Sequence, residues 1–114
     1  MSKLLTHNAH LFNERRNSMK PSQALAAHRA DIRRIVSMNR AENPRVFGSV
    51  LRGDDAEGSD LDLLVDALPG ASLFDLGGLQ VELESLLGIR VDLLTPTDLP
   101  PKFRASVLAQ ALPV

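Results

Sequence analysis

The chain has no cysteine, no tryptophan and no tyrosine, and its only aromatic residues are four phenylalanines. Without cysteine, disulfides and thiolate zinc sites are excluded. With aromatics at 4%, no stacking platform for single-stranded bases is evident. No apolar run approaches the length of a membrane span. The N-terminus lacks the hydrophobic segment of a secretion signal, so a reducing cytoplasm is the expected setting. The formal net charge is -1, so no global field draws nucleic acid to the chain, and nucleic acid is not expected as a direct ligand.

The 114 residues suffice for one domain but hardly two. A hydrophobic share of 44% supports a core. That core is modest, because short chains bury a smaller fraction of their surface. A partner chain therefore has room to matter. Charge is unevenly placed. Arg15, Arg16, Arg29, Arg33, Arg34 and Arg40 lie in the first third, whereas the acids concentrate from Asp54 to Asp98.

Residues 1–20 are polar and without period, and read as a flexible extension. Met19 is an alternative start, because organised patterning begins just after it. His7 and His10 fall in this tail. From Pro21 and Ser22 a helix is expected to about Arg40, carried by Leu25, His28, Ile32, Ile35 and Val36 at three- and four-residue steps. His28 on that apolar stripe reads as a core or interface residue. Asn43-Pro44 is expected to end the helix. A short strand follows at Arg45-Val46-Phe47, then Gly48-Ser49 and a polar loop over 54–59, in which Asp54, Asp55 and Glu57 read as solvated.

Residues 60–66 (DLDLLVD) read as a second strand. Ser72 is expected to cap a helix with Asp75 as its capping-box partner, and Gly88 to close it. A third strand spans 89–95 (IRVDLLT), and a last helix runs near 102–111. Helix, strand, strand, helix, strand, helix implies an α/β (α+β) fold, a small mixed sheet packed against helices.

Strand alternation puts Asp60 and Asp62 on one face and Leu61, Leu63 and Val65 on the other. Two like charges side by side repel, and a divalent cation between them converts that repulsion into attraction. Phosphoryl chemistry wants such a pair, because two metal ions need bridging oxygen ligands. Asp92 sits alone between Val91 and Leu93, and a lone acid in a buried strand is costly unless paired or metal-bound. The plainer reading of a single Asp-x-Asp is an edge strand guarded by acids. Asp66 shares the face but ends the strand, as a cap or solvent-facing group.

Other motifs fail. A calcium loop of the EF-hand type from Asp60 would need a polar ligand at Leu64 and glycine at Val65. The spacing of Gly48 and Gly53 suits a phosphate-binding loop of the Walker type, but Asp54 stands where lysine is required. Gly48-Ser49 directly after a strand does suit a phosphate cradle, since glycine lets backbone approach a ligand. Arg52 either touches phosphate or acceptor, or braces the loop by pairing with an acid. Ser59 is placed to bond the loop and orient Asp60.

Gly48-Ser49, ten residues, then Asp60-Leu61-Asp62 resembles the signature of the nucleotidyltransferase superfamily that includes DNA polymerase beta. The longer string GSVLRGDDAEGSDLDLLVD is similar to the minimal nucleotidyltransferases related to the MntA antitoxins, through Gly48, Ser49, Arg52, Gly53, Ser59, Asp60, Asp62, Leu63 and Val65. Asp92 matches that family's third carboxylate.

The resemblance implies a nucleotidyltransferase fold over 21–114. It implies that Asp60, Asp62 and Asp92 bind magnesium, two ions in all. It implies that Gly48 and Ser49, with Arg52 and Ser59, bind the nucleotide. It further implies a type VII antitoxin that moves AMP from ATP onto a tyrosine of a HEPN-domain ribonuclease toxin. An antitoxin acting by binding alone, or an aminoglycoside-type nucleotidyltransferase, are the alternatives.

Overall fold

A computed structural model of the chain describes residues 19–114. The expected extension, with His7, His10, Arg15 and Arg16, lies outside the described residues except for Met19 and Lys20. Helix α1, Pro21–Met38, starts at the proline as expected, since that position has no hydrogen bond to lose. Its first turn is capped both locally and at a distance: the Lys20 N–H donates to Gln23 Oε1 at 3.0 Å. The Ser22 N–H donates to Asp55 Oδ2 at 2.9 Å, across 33 residues.

Ile32, Ile35 and Val36 are buried as the periodicity requires. His28 is only half-buried. It sits at a kink (φ -131°, ψ 23°), with Nδ1 3.2 Å from Asp31 Oδ2, and is not a core residue.

The helix ends at Met38, two residues before the expected end near Arg40. Asn39 closes it, its side-chain amide donating to the Ile35 carbonyl at 2.8 Å, and Arg40 then turns the backbone to φ 56°. Asn43-Pro44 lies inside strand β1, Ala41–Phe47. Glu42 pairs with Asp66 and Arg45 with Leu64, so Asn43 and Pro44 together oppose the single residue Val65. This bulge is what admits a proline, which has no N–H for the ladder.

Gly48–Arg52 forms a short helix, α2, directly after β1. Strand β2, Leu61–Ala67, follows the loop, and helix α3, Leu73–Leu87, follows β2. The expected capping box is present. The Asp75 N–H donates to Ser72 Oγ at 3.2 Å, and the Ser72 N–H donates to Asp75 Oδ2 at 2.8 Å. Gly88 closes the helix at φ 69°.

Gly78 of α3 keeps open space around the position of a Cβ. Gly78→Ala is therefore expected to raise stability by about 0.5–1 kcal/mol, read as a higher denaturant midpoint at unchanged slope.

Strand β3, Val91–Leu94, leads through a 3-10 turn at Pro96–Asp98 into helix α4, Pro101–Gln110. A two-residue strand, β4 (Leu112–Pro113), adds to β1 and was not legible in the sequence. The sheet order is β3-β2-β1-β4, with β2–β3 parallel and the other pairs antiparallel.

One face carries the core. Leu61, Leu63, Val65 and Val91 pack there with Ile32 and Val36 of α1 and Leu79 and Leu83 of α3. The other face carries Phe47, Asp62 and Asp92 in one cross-strand row, and Arg45, Leu64 and Leu94 in the next. Leu64 is fully buried yet outside the core cluster, so this second face is covered too. Among the described residues no helix is long and apolar enough to cross a membrane.

Candidate active site

The site begins where β1 gives way to α2. Phe47 stands opposite Asp62, and the chain then turns at Gly48 with φ 72°. A side chain at Gly48 would collide with the Asp62 carboxylate, placing a Cβ 2.9 Å from Asp62 Cγ. Glycine is required here twice, for the left-handed backbone and for the carboxylate packed against it.

On the other side, parallel pairing sets Asp62 directly beside Asp92. Asp62 is half-buried, and its carboxyl is pushed up to about 6. Burial is the main cause. The Asp92 and Asp60 charges add to it, and Arg52 opposes it. The three acids thus form one electrostatic group, as two-residue alternation and parallel register predict.

Asp60 precedes β2 and differs from its neighbour. Arg90 Nε lies 3.1 Å from Asp60 Oδ1. The N–H is not aimed at that oxygen, and Oδ1 remains shut from water with no hydrogen-bond partner. A buried anionic oxygen without a donor is costly, and a cation would relieve it.

Asp92 corrects an expectation. It is exposed on the edge strand β3, so no burial penalty singles it out; its register with Asp62 does.

The donor set is all carboxylate, which suits a hard divalent cation. The buried orphan oxygen of Asp60, beside the paired carboxylates of Asp62 and Asp92, fits the same group. Among the described residues, however, no group of three acids or histidines is arranged as it stands to hold a metal ion.

The loop after α2 is tied at three points. Arg52 Nε donates to Asp54 Oδ2 at 3.2 Å, so of its expected roles the structure displays the bracing one. Ser59 Oγ accepts the Ala56 N–H at 3.1 Å, bonding the loop as expected; no bond joins it to Asp60 among the described contacts. Asp55 is not simply solvated. It caps α1, and although burial raises its pKa, the Ser22 backbone and hydroxyl bonds prevail and lower it. Nothing local in the sequence signals a partner 33 residues away. Ser49 is half-buried in the first turn of α2, where its carbonyl accepts the Asp54 N–H at 3.0 Å.

Asp66 is withdrawn from the site. Arg45 grips both its oxygens, at 3.1 and 3.2 Å, and Asn43 donates at 3.0 Å. These hydrogen bonds, Arg45's first, hold its carboxyl below the usual range.

The same face of the sheet holds a cavity of about 350 Å3 between the strands and α4. Gly48 and Arg52 lie on its wall.

The chain is similar to known proteins across most of its length. It is 42% identical over 80 residues to a Methanocaldococcus jannaschii protein described as a "putative protein adenylyltransferase", covering 70% of this chain and 86% of that one. It is 37% identical over 88 residues to the protein adenylyltransferase MntA of Thermococcus cleftensis, covering 77% of this chain and 86% of that one. A solved structure described as a "putative minimal nucleotidyltransferase" superposes with a TM-score of 0.74 at 42% identity, over 82% of this chain and 95% of that one.

A toxin–antitoxin complex with AMP-PNP (TM-score 0.60, 23% identity, 70% of this chain and 66% of that one) shares the fold. So does the MntA–HepT toxin–antitoxin (TM-score 0.58, 20% identity, 77% and 69%). The family model of the nucleotidyltransferase domain matches residues 30–113. The GS turn, the paired acids at the start of β2 and the third acid on β3 therefore sit in a chain that belongs to the nucleotidyltransferase domain family.

Proposed function

We propose that residues 21–114 form a magnesium-dependent protein adenylyltransferase that moves AMP from ATP onto a tyrosine of a HEPN-domain toxin and thereby neutralises it. The observation that carries this reading is the row of Asp62 and Asp92 in parallel register, with Asp60 beside it and Gly48 clearing space at its end. Similarity to named protein adenylyltransferases supports the reaction, and fold likeness to toxin–antitoxin complexes supports the partner class.

Asp60, Asp62 and Asp92 would hold the magnesium, which when bound supplies positive charge at the phosphates. Gly48 and Ser49, with Arg52 and Ser59 steadying the adjoining loop, hold the triphosphate beside them. Asp92, exposed at the sheet edge, is the carboxylate that an incoming hydroxyl reaches, and it takes the hydroxyl proton. The acceptor oxygen bonds to the α-phosphorus, the bond to the β-phosphate oxygen breaks, and pyrophosphate leaves. These 114 residues contain no tyrosine, so a tyrosine acceptor lies outside them. The same reading places the chain in the cytoplasm, with ATP and its target.

The test is incubation with ATP labelled at the α-phosphate, magnesium and a HEPN-domain protein, the first choice being any encoded beside this chain. Label is expected on the toxin and is expected to vanish with Asp60→Ala or Asp62→Ala. Neutralisation that persists in those variants with no label would overturn catalysis in favour of binding alone.

A further inference from the structure

Asp60 carries an oxygen that is covered without being satisfied. Its Oδ1 is shut from water and accepts no hydrogen bond. Arg90 lies over it, with Nε 3.1 Å away and its N–H aimed elsewhere. Charge holds this pair together, rather than a directed bond.

The location explains the contact. Arg90 directly precedes β3, two residues before Asp92, so alternation sets it on the face of the acids. Asp92 is in register with Asp62, and Asp60 stands two residues before Asp62. A cation beside three such carboxylates offsets their mutual repulsion.

The backbone of Arg90 is fixed, but its side chain is not. Its carbonyl accepts the Leu61 N–H at 3.0 Å, which ties it to β2. The side chain is 79% exposed, and among the described residues no second acid pairs with it. Beside it lies a hollow of about 190 Å3, lined by Arg90 with Gly58, Ser59, Gly88 and Ile89. Gly58 and Gly88 have no side chains to fill that space, so the guanidinium has room to move. An exposed pair of this kind biases an equilibrium by only about two- to fivefold. A divalent cation among three carboxylates carries twice the charge and outcompetes it.

We propose that Arg90 is a displaceable counter-ion: it covers the Asp60 oxygen that the metal takes, and it swings into the hollow between Gly58 and Gly88 when the metal enters. This rests on the metal-dependent reading above. The metal then binds only the fraction of molecules in which Arg90 has moved aside, and its apparent affinity is reduced by that fraction.

The probe is manganese, titrated with a saturating non-hydrolysable ATP analogue into the wild type, Arg90→Ala and Arg90→Lys, and followed by the resonance of the free ion. Arg90→Lys keeps the charge but puts a methylene where Nε lies. Both variants are expected to bind manganese about two- to fivefold more tightly than the wild type. Melting curves of the wild type and Arg90→Ala supply a second readout. In a chelator Arg90→Ala is expected to melt below the wild type, and saturating manganese is expected to close the gap. A residue serving only the fold would lower both curves alike.

Equal or weaker manganese binding by Arg90→Ala would overturn the displacement, as would a melting gap that manganese leaves unchanged. Wild-type affinity in Arg90→Lys beside tighter binding in Arg90→Ala would assign the effect to charge at a distance, and would overturn it too. A wild type that binds no manganese would instead overturn the metal-dependent reading, and this inference with it.

Discussion

Asp62→Asn is expected to lower nucleotidyl transfer by about 10³-fold or more while making the metal-free protein more stable at neutral pH. Both effects come from one carboxylate. Asp62 is partly buried and flanked by Asp92 and Asp60, which pushes its pKa up to about 6. The folded chain therefore binds this proton more tightly than the unfolded chain does.

The stability so contributed is full below the ordinary carboxylate pKa near 4, and is lost as pH rises through about 6. Asparagine never acquires the charge and escapes that loss. Melting curves in a chelator should show Asp62→Asn ahead of the wild type at pH 8, and level with it near pH 4. The gain is on the order of 1 kcal/mol, well below the full shift, because the carboxylate keeps contact with water. Transfer measured on the same preparations should be lost at both pH values. A variant that is inactive and also less stable at pH 8 would mean that Asp62 serves the fold.

Gly48→Ala carries the second large effect. The backbone there has φ 72°, and the new methyl would collide with the Asp62 carboxylate and lie 3.3 Å from Asp62 Cβ. Strain at the backbone and displacement of the carboxylate together are expected to destabilise the fold by about 2 kcal/mol and to slow transfer by about 10²-fold. The two causes separate in a double-mutant cycle with Asp62→Ala. Part of the damage comes from the carboxylate, so the double variant should be more stable than the sum of the singles, by roughly 1 kcal/mol. Strict additivity would show that only the backbone conformation matters.

Local signals were read well from the sequence. The box formed by Ser72 and Asp75, the closing Gly88, the alternation within 60–66 and the spacing from Gly48-Ser49 to Asp60 all depend on residues near one another in the chain. What escaped depended on distant partners. Asn43-Pro44 reads as a stop, yet sits in a strand because a bulge opposite Val65 absorbs it. Asp55 looks like one more loop acid, until α1 is seen to rest its Ser22 N–H on it.

Asp92 looks buried between Val91 and Leu93 but is exposed; what matters is its register with Asp62, which no strand reveals alone. Leu112–Pro113 has no pattern of its own and is a strand only because β1 pairs with it. The family signature picks out the acids of the candidate site, but the cavity beneath α4 depends on how Arg104 sets that helix, and this is a property of the fold.

Manganese binding, followed by the electron paramagnetic resonance of the free ion in the presence of a non-hydrolysable ATP analogue, tests the role of the three acids without needing an acceptor. About two ions per wild-type chain are expected, with tight binding lost in Asp62→Asn and weakened in Asp60→Asn and Asp92→Asn. Equal manganese binding by the wild type and by Asp62→Asn would contradict a metal site built on these aspartates.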